Sequence, residues 1–287
     1  MTPRPPLVSV CVPVFNRREL VGEAISSALA QHHPHLEILV QDNASDDGTA
    51  EVLAALAARD PRVVVARNET TVPMAANWNR VIARARGELV AVLSSDDLLE
   101  PGFLAACLPA LEDGGLDAVT TNFYWLQEGR KLERGFKVPG GVYRGRLATM
   151  LLKNPFNINV TLFRRALLER LRLHGRVFRE PYISCDYDLW MRIAAAGGRI
   201  AYLEHVHGGC YRVHPENISR AHSTIYRHMN LTILANRAAL QRQCPWAYRY
   251  KLGRILTHDL RDRLRGRPID RRLNRAVRLA LRASWGR

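Results

Sequence analysis

Short apolar runs alternate with amphipathic segments over roughly the first 120 residues of this 287-residue chain. The apolar runs have strand length and occupy residues 7–13, 36–41, 63–66, 89–93 and 117–123. Between them, over about 19–31, 49–58 and 74–86, apolar residues recur with the period of a helix that buries one face. Strands that alternate with such helices are typical of βαβ units. The pattern predicts an α/β fold in which helices flank a mostly parallel sheet.

The alternation ends near residue 123, and the next segment, 124–145, is rich in glycine and predicts a loop or hairpin. Further elements are predicted as helices at 147–152, 165–171 and 186–196 and strands at 160–163, 200–203 and 206–211. From residue 224 to residue 287 the pattern is helical, with breaks at Pro245 and Pro268. We therefore expect an α/β domain over residues 1–222, divided near residue 123, and a helical extension over 223–287.

Charge is distributed unevenly along the chain. The apolar fraction of 47% and the charged fraction of 24% are those of a globular protein, but the formal net charge is +15. From Arg249 onward there are 13 basic and three acidic residues, so this tail carries +10 and residues 1–248 carry +5. A nucleic-acid-binding protein would explain the charge, but few aromatic residues that stack on bases are interleaved with the basic ones. We expect no nucleic-acid partner.

The end of the tail, residues 271–285, has the pattern of a basic amphipathic helix, because its arginines occupy most of the surface outside one apolar face. That face consists of Leu273, Ala276, Val277, Ala280, Leu281 and Trp285. Such a helix either lies on an anionic membrane surface or packs its apolar face on the protein and leaves the arginines in water. The sequence leaves both interpretations open.

The cysteines and the absence of targeting segments indicate a cytoplasmic protein. The five cysteines are scattered without a Cys-x-x-Cys pair, so we expect free thiols and no zinc site. No signal peptide precedes the first strand, and no apolar run approaches the roughly 20 residues of a membrane-spanning helix. We expect a cytoplasmic location, with peripheral contact to the inner membrane face if the tail binds anionic lipid.

Acidic residues follow two of the predicted strands. Asp42 comes directly after the second strand, and Ser94-Ser95-Asp96-Asp97 comes after the fourth. In an open α/β sheet, ligands bind beyond the carboxyl ends of the strands. One or two carboxylates, together with phosphate oxygens and water, complete the coordination of Mg²⁺ or Mn²⁺. The cluster is a candidate site for a nucleotide diphosphate and its cation, and the alternative is that it caps the helix after Pro101.

Two other segments carry candidate chemistry. The first strand ends Pro13-Val14-Phe15-Asn16, which offers an aromatic ring and an amide to a nucleotide base or else forms an ordinary turn. Asp186 begins a predicted helix. A carboxylate at that position serves either as a helix cap or as a fixed general base.

Six segments, taken together in this order, resemble the family 2 glycosyltransferases, which are inverting enzymes with the nucleotide-binding GT-A fold. They are Pro13-Val14-Phe15-Asn16, the run from Asp42 to Thr49, Asn77-Trp78-Asn79 ahead of Ala85-Arg86-Gly87-Glu88, Ser94-Ser95-Asp96-Asp97, the run from Asp186 to Arg192, and the run from Tyr211 to Ser219. The likeness covers residues 7–220. It implies a GT-A domain with a mostly parallel mixed sheet, whose donor half is about 1–123 and whose acceptor half is about 124–222.

The resemblance also implies roles for individual residues. Asp42 would contact the donor's base, Asp96 would bind the metal, and Asp186 would be the catalytic base. The remaining donor-binding positions would be Pro13, Phe15, Asn16, Asn77, Asn79, Ser95 and Asp97, and His214 would add a metal or diphosphate contact. The implied reaction is metal-dependent transfer of a sugar from a UDP- or dTDP-sugar to a hydroxyl of a glycan, a lipid-linked or a small-molecule acceptor, in polysaccharide, glycolipid or other glycoconjugate synthesis.

Three positions depart from the family pattern. Ser94 replaces the first acid of the Asp-x-Asp motif, Cys185 replaces the acid before the base, and Trp78 replaces an arginine of the central motif. A nucleotidyltransferase shares the sheet and the metal and stays an alternative. However, such enzymes usually carry a glycine-rich basic loop after the first strand, and this chain has no glycine there before Gly22.

Overall fold

The computed structural model describes residues 4–112, 115–133, 138–180, 182–217, 222–264 and 270–285. The chain divides into two compact units. The first comprises Met1–Tyr143, Phe156–Pro181 and Gly198–Pro215, and the second comprises Arg144–Pro155, Tyr182–Gly197 and Glu216–Arg287.

The described elements alternate as the sequence predicted through the first part of the chain. In chain order they are β1 (Val8–Val14), α1 (Val21–Leu29), β2 (Leu36–Asp42), α2 (Thr49–Arg59), β3 (Val63–Arg67), α3 (Met74–Ala83), β4 (Leu89–Val92), β5 (Leu98–Leu99), α4 (Phe103–Glu112), β6 (Ala118–Gln127), β7 (Arg130–Leu132), β8 (Gly141–Arg144), α5 (Leu147–Leu152), β9 (Thr161–Arg164), α6 (Arg165–Arg170), α7 (Cys185–Ala195), β10 (Arg199–Arg212), α8 (His222–Ala235), α9 (Arg237–Gln243), α10 (Pro245–Leu264) and α11 (Arg271–Trp285). A short 3-10 helix, Ile158–Val160, precedes β9.

The strands form one mixed sheet in the order β3-β2-β1-β4-β9-β6-β10-β5. The first four strands are parallel. β9 pairs antiparallel with both β4 and β6, and β10 runs parallel to β6. β7 folds back on β6 as the hairpin that the glycine-rich segment predicted. The predicted α/β fold with a mostly parallel sheet is confirmed.

The strands at the centre of the parallel half are buried on both faces, and this explains their uninterrupted apolar sequence. Every residue of β1 and β2 is buried. Helix α1 covers one face with four buried side chains at helical spacing, which are Val21, Ala24, Ile25 and Ala28. The hydrophobic core of the first unit lies between this sheet and its helices.

Two glycines allow β10 to approach its neighbours closely. A Cβ atom at Gly209 would lie 2.5 Å from the carbonyl oxygen of Leu98, and one at Gly208 would overlap the hydroxyl of Thr121. Glycine therefore permits β5 to pair with β10 at Gly209 and Cys210. This pairing fixes the end of β10 beside the segment that follows β4.

The second unit is mainly helical. It is made of three segments of the chain, whereas the sequence analysis expected a single boundary at residue 222. Segments 144–155 and 182–197, which the sequence assigned to the acceptor half, belong to this unit because α5 and α7 pack against the tail helices α8 and α10. The two strands predicted at 200–203 and 206–211 are one strand with irregular register. The tail has an additional break at Asn236, and the break predicted at Pro268 lies outside the described residues.

The apolar face of α11 packs inside the second unit. Leu273 and Val277 are buried, and α11 contacts α10 and α8. The exposed side of the helix carries the arginines and Leu279. The structure therefore favours the packed interpretation of the amphipathic pattern over insertion of this face into a lipid surface. Within the described part of the chain, no helix is both long enough and apolar enough to cross a membrane.

Val277 and Leu279 offer a matched test of this packing. Val277→Ala should lower the free energy of unfolding by about 1.5–2.5 kcal/mol, because it removes two buried methyl groups and leaves a cavity. Leu279→Ala, on the exposed side, should change it by less than about 0.5 kcal/mol. Urea unfolding followed by circular dichroism measures both. Equal effects would contradict the packed arrangement of α11.

Candidate active site

The parallel strands place several predicted residues side by side at one edge of the sheet. In the register of β1, β2 and β3, Val14 pairs with Asp42 and Asp42 pairs with Arg67. The carboxyl ends of these strands therefore lie in one row, which is where an open α/β sheet binds ligands.

Asp42 is buried at this edge and its carboxylate is fully engaged. One oxygen accepts a hydrogen bond from Nη1 of Arg67 at 2.6 Å, and the other accepts from the hydroxyl of Ser45 at 2.5 Å and its amide at 3.1 Å. Arg67 is half exposed and also donates to the carbonyl oxygen of Ser45. Asp42 thus orders the loop after β2 through Ser45 and forms an ion pair with the more exposed Arg67. The sequence analysis did not identify Arg67, since an arginine at a strand end has no local signature.

The end of β1 contributes one exposed ring and one structural amide. Phe15 is 44% exposed, whereas Pro13 is buried within the strand. The side chain of Asn16 donates to the carboxylate of Asp46 and accepts from its amide, at 2.8 and 3.1 Å. Phe15 is therefore available to a flat ligand, while Asn16 joins the ends of β1 and β2.

Asn77 and Asn79 hold α3 in place and do not point their amides into open space. Asn77 is buried, accepts from Asn68 at 2.8 Å and donates to the carbonyl oxygen of Gln41 at 3.1 Å. Asn79 accepts from the amide of Phe178 and donates to its carbonyl oxygen, both at 2.8 Å. These bonds fix α3 within the first unit, and direct contact of the two asparagines with the donor stays a prediction.

Trp78 fills the position where the family pattern has an arginine. Its ring packs edge-on against Phe178, with ring centroids 5.2 Å apart. The departure from the pattern therefore serves packing in the first unit.

Asp96 and Asp97 differ sharply although they are adjacent. The side chain of Asp96 is 17% exposed, and its Oδ2 lies 3.3 Å from Nε of Arg17 and 3.1 Å from Nε2 of His214. His214, just after β10, therefore lies beside Asp96, just after β4. The predicted joint role of His214 and Asp96 at a metal or diphosphate requires them to be this close. Arg17 joins them and was not identified from the sequence. Ser95 lies buried beside them in the same turn.

Asp97 is buried and its two carboxylate oxygens are occupied. One accepts from the backbone amide of Arg212 at 2.8 Å, and the other accepts from the side-chain amide of Asn159. Burial, with the neighbouring charge of Asp96, raises the pKa of Asp97 well above its usual range. Asp97 thus supports the turn, and its expected contact with the donor stays a prediction. Near the start of α4, the amide of Leu104 donates to the side chain of Gln31 at 3.1 Å.

The residues around Asp96 fit a cation only in part. Among the described residues, no three His, Cys, Asp or Glu side chains are grouped to hold a metal ion. Asp96 and His214 supply one carboxylate and one imidazole. Such a pair suits a divalent cation whose other positions are filled by diphosphate oxygens and water, as in sites that keep only one or two protein ligands.

Asp186, the predicted base, lies in the second unit at the start of α7. It is half-buried, and its Oδ1 accepts from the amide of Tyr187 at 2.8 Å. Burial raises the pKa of Asp186 above its ordinary value, which makes the carboxylate a stronger base. The adjacent Cys185 is buried, and its pKa is raised well above the usual value, chiefly by burial, so this thiol stays uncharged beside Asp186.

Helix α8 and the residue that follows it hold the start of α7 through three polar contacts. His228, Thr232 and Asn236 follow one another at a spacing of four residues. His228 accepts from the amide of Ile183 at 3.3 Å, Thr232 lies 3.1 Å from the hydroxyl of Ser184, and Asn236 donates to Asp188 at 2.8 Å. Burial, with Arg227, lowers the pKa of His228 and favours the neutral ring that accepts this bond.

Asp188 completes this support from within α7. Its second oxygen accepts from Nε of Arg192 at 2.7 Å, and both side chains are buried. The sequence analysis read residues 186–192 as one motif, but it could not separate the half-buried Asp186 from the buried Asp188 and Arg192. The three supporting residues in and just after α8 lie about 45 residues further on, and the sequence analysis did not identify them.

The sequence is similar to a family of known proteins. Residues 9–172, more than half of its length, match the profile of Glycosyl transferase family 2. The chain belongs to this family. It is 31% identical to the succinoglycan biosynthesis protein ExoO of Rhizobium meliloti over 83% of this chain and 69% of that protein. It is 28% identical to the hyaluronan synthase of Pasteurella multocida over 75% of this chain, but the match spans only 21% of that synthase.

A solved structure supports the same fold. The mannosyltransferase PcManGT of Pyrobaculum calidifontis, in complex with GDP-Man and Mn²⁺, superposes with a TM-score of 0.63 at 20% identity, over 98% of this chain and 86% of that one. This likeness confirms the GT-A fold that the sequence motifs implied.

Asn159 offers a test of how the turn after β4 is held. Its side chain pairs with Asp97 and also accepts from the amide and hydroxyl of Ser94, at 3.0 and 2.9 Å. Asn159→Ala should lower the free energy of unfolding by about 1–3 kcal/mol, because it strands a buried carboxylate. Ser94→Ala removes only the hydroxyl contact and should cost less than half as much. Chemical unfolding compares the two variants, and a neutral Asn159→Ala would disprove this support.

Proposed function

We propose that this protein is an inverting glycosyltransferase that moves a sugar from a nucleoside-diphosphate sugar to an acceptor hydroxyl. The observation that carries the proposal is the convergence of Arg17 and His214 on Asp96 at the carboxyl ends of parallel strands, in a chain of family 2. This edge concentrates a carboxylate, a guanidinium and an imidazole. Such a set suits the phosphates of a nucleotide and an accompanying cation.

In this mechanism a general base and a separate set of phosphate-binding side chains have different roles. Asp186 removes the proton of the acceptor hydroxyl, whose oxygen attacks the anomeric carbon of the donor sugar from the face opposite the diphosphate. A single displacement inverts the anomeric configuration. Asp96 and His214 would hold Mg²⁺ or Mn²⁺, which when bound neutralises charge on the departing diphosphate. Arg17 adds a fixed positive charge beside that position.

The donor is proposed from the edge of the first unit. Phe15 offers an exposed ring for the base, and Arg67, the last residue of β3, is paired with Asp42 at the same edge of the sheet. The proposed nucleotide base of the donor is uracil or thymine, on the basis of the family resemblance. The nucleotide of the structural neighbour is GDP-Man, so it supports a nucleotide-sugar donor and a divalent cation without selecting the base.

The acceptor is proposed to belong to cell-envelope polysaccharide synthesis, because ExoO and the hyaluronan synthase are named for polysaccharide products.

The five cysteines are free and buried, which fits a reducing cytoplasm. Any contact with an anionic membrane would use the exposed arginines of α11 without insertion, since Leu273 and Val277 are buried. A panel of nucleotide-sugars assayed for the released product tests the reaction class. Nucleoside diphosphate would support a glycosyltransferase, whereas sugar 1-phosphate, which leaves when the nucleoside monophosphate is transferred, would support a nucleotidyltransferase.

Asp186→Asn should abolish transfer and leave donor binding nearly intact, because it removes the base and keeps the side chain's shape. Transfer kinetics and donor titration measure the two effects separately. More than about a tenth of the normal kcat in the variant would exclude Asp186 as the base, given the usual 10²–10⁴-fold contribution of general bases. In the unaltered enzyme, kcat should fall as the pH drops through the raised pKa of Asp186, hence above the ordinary value of about 3.9.

Asp96→Ala should remove most of the metal-dependent affinity for a nucleoside diphosphate, because the cation would lose its only described carboxylate ligand. Calorimetric titration of UDP and of GDP, each with and without Mn²⁺, measures this affinity. His214→Ala should weaken it less, since the carboxylate remains. Unchanged metal-dependent binding in Asp96→Ala would mean that the cation is held elsewhere.

A further inference from the structure

A cavity of about 550 Å³ opens in the second unit among α5, α8 and α10. Its wall contains the apolar side chains of Leu152 and Ile255 together with aromatic and basic residues. A mostly apolar cavity with a few convergent polar groups is the usual form of a small-ligand site. None of the proposed catalytic roles uses these residues.

The basic side chains of this cavity lack acidic partners. Lys153, Lys251, Arg254 and Arg261 line it, and the structure records no carboxylate within ion-pair distance of any of them among the described residues. The nearby acids serve another group, because Asp262 lies 3.3 Å and Asp259 3.9 Å from His258.

Lys251 and Arg254 repel each other within this wall. Lys251 is half-buried, and burial together with the charge of Arg254 lowers the pKa of its ammonium group. A bound anion would relieve this repulsion and satisfy a charge that is partly removed from water. The two neighbouring positive charges of Lys251 and Arg254 therefore favour an anionic ligand.

Two tyrosines give the cavity flat surfaces. Tyr250 is 53% exposed and receives a hydrogen bond from Arg254 at 3.3 Å. Tyr226 lies across the imidazole of His258, with ring centroids 4.2 Å apart. The hydroxyl of Tyr226 donates to the carbonyl oxygen of Ile255 at 3.5 Å. An aromatic ring held in this way can offer an apolar face to the C–H groups of a sugar. Tyrosine rings beside unpaired cations match a sugar that carries a negative charge.

Two walls of the cavity are bonded to the segment that carries Asp186. The hydroxyl of Tyr187, the next residue, donates to the carbonyl oxygen of Leu151 in α5 at 2.8 Å. His228, two residues after Tyr226 in α8, accepts from the amide of Ile183. A ligand in this cavity would therefore be held by the same elements that position the base.

We propose that this cavity binds an acidic sugar residue, carrying a carboxylate or a phosphate, of the acceptor glycan. The inference rests on the proposed glycosyltransferase function and adds the acceptor's chemical class. A glycan is favoured over a lipid surface because the apolar face of α11 is already packed, whereas Tyr226 and Tyr250 face a cavity of ligand size.

Binding of defined probes to the full chain tests the proposal. The acidic probe is a tetrasaccharide of alternating glucuronate and N-acetylglucosamine, and the neutral probe is an N-acetylglucosamine tetramer. Inorganic phosphate and phosphatidylglycerol vesicles are the other two arms. Calorimetry at about 0.15 M salt, where the Debye length is about 8 Å, limits long-range attraction to the basic tail.

Two pairs of variants with equal charge change distinguish the cavity from the exposed side of α11. Lys251→Gln combined with Arg254→Gln should weaken the acidic probe at least about tenfold, the loss expected for one charge-assisted hydrogen bond. Arg275→Gln combined with Arg278→Gln, on the exposed side of α11, should change it less than about twofold. Lys153→Gln, at the exposed position that follows α5, gives a second cavity variant if the first pair unfolds.

Four outcomes would overturn the proposal. They are equal loss in the cavity and α11 pairs, equal affinity for the acidic and neutral tetramers, binding of inorganic phosphate with no binding of the acidic tetramer, and loss of vesicle binding alone in the cavity pair. Asp186→Asn should still bind the acidic probe. In the unaltered enzyme, binding of the acidic probe without any sugar transfer would reject the proposed function and keep the site. Sugar transfer without binding of the acidic probe would reject the site alone.

Discussion

The buried carboxylate of Asp97 is the constraint on which the candidate site of the first unit depends. A carboxylate removed from water costs several kcal/mol unless its oxygens are paired. Here the partners are the backbone of Arg212 and the side chain of Asn159, which lie far along the chain. The turn after β4 is therefore stable only when β10 and the 3-10 helix are in place. Once formed, it presents Asp96 beside Arg17 and His214.

The second unit supports its candidate base by a comparable device. Asp188 is buried two residues after Asp186 and is paired with Arg192 and with Asn236, the residue that follows α8. Asp186 keeps its carboxylate half-buried, where partial desolvation raises its pKa. In both units, then, a buried acid is paired with residues distant in the chain, while a nearby acid of the same motif keeps a more exposed carboxylate. This division accounts for the paired acids in each motif.

Periodicity predicted most of the elements well because burial on both faces of a parallel sheet demands continuous apolar strands. The GT-A fold followed from six short motifs and is confirmed by the comparison with solved structures. The expected boundary at residue 222 differs from the observed units, since α5 and α7 pack against helices that come much later in the chain. Such packing depends on matching surfaces, which a single sequence does not display.

By itself the sequence determined the alternation of strands and helices, the family and the acids at the strand ends, because these follow from local patterns. Only the tertiary structure decided which acid is buried and which is available. Asp96 and Asp97, like Asp186 and Asp188, are chemically identical in the sequence, and their difference arises from partners such as Asn159 and Asn236. The amphipathic pattern of α11 likewise fitted a membrane or a protein surface until its neighbours were known. Exposure is a property of the packed chain, and distant residues set it.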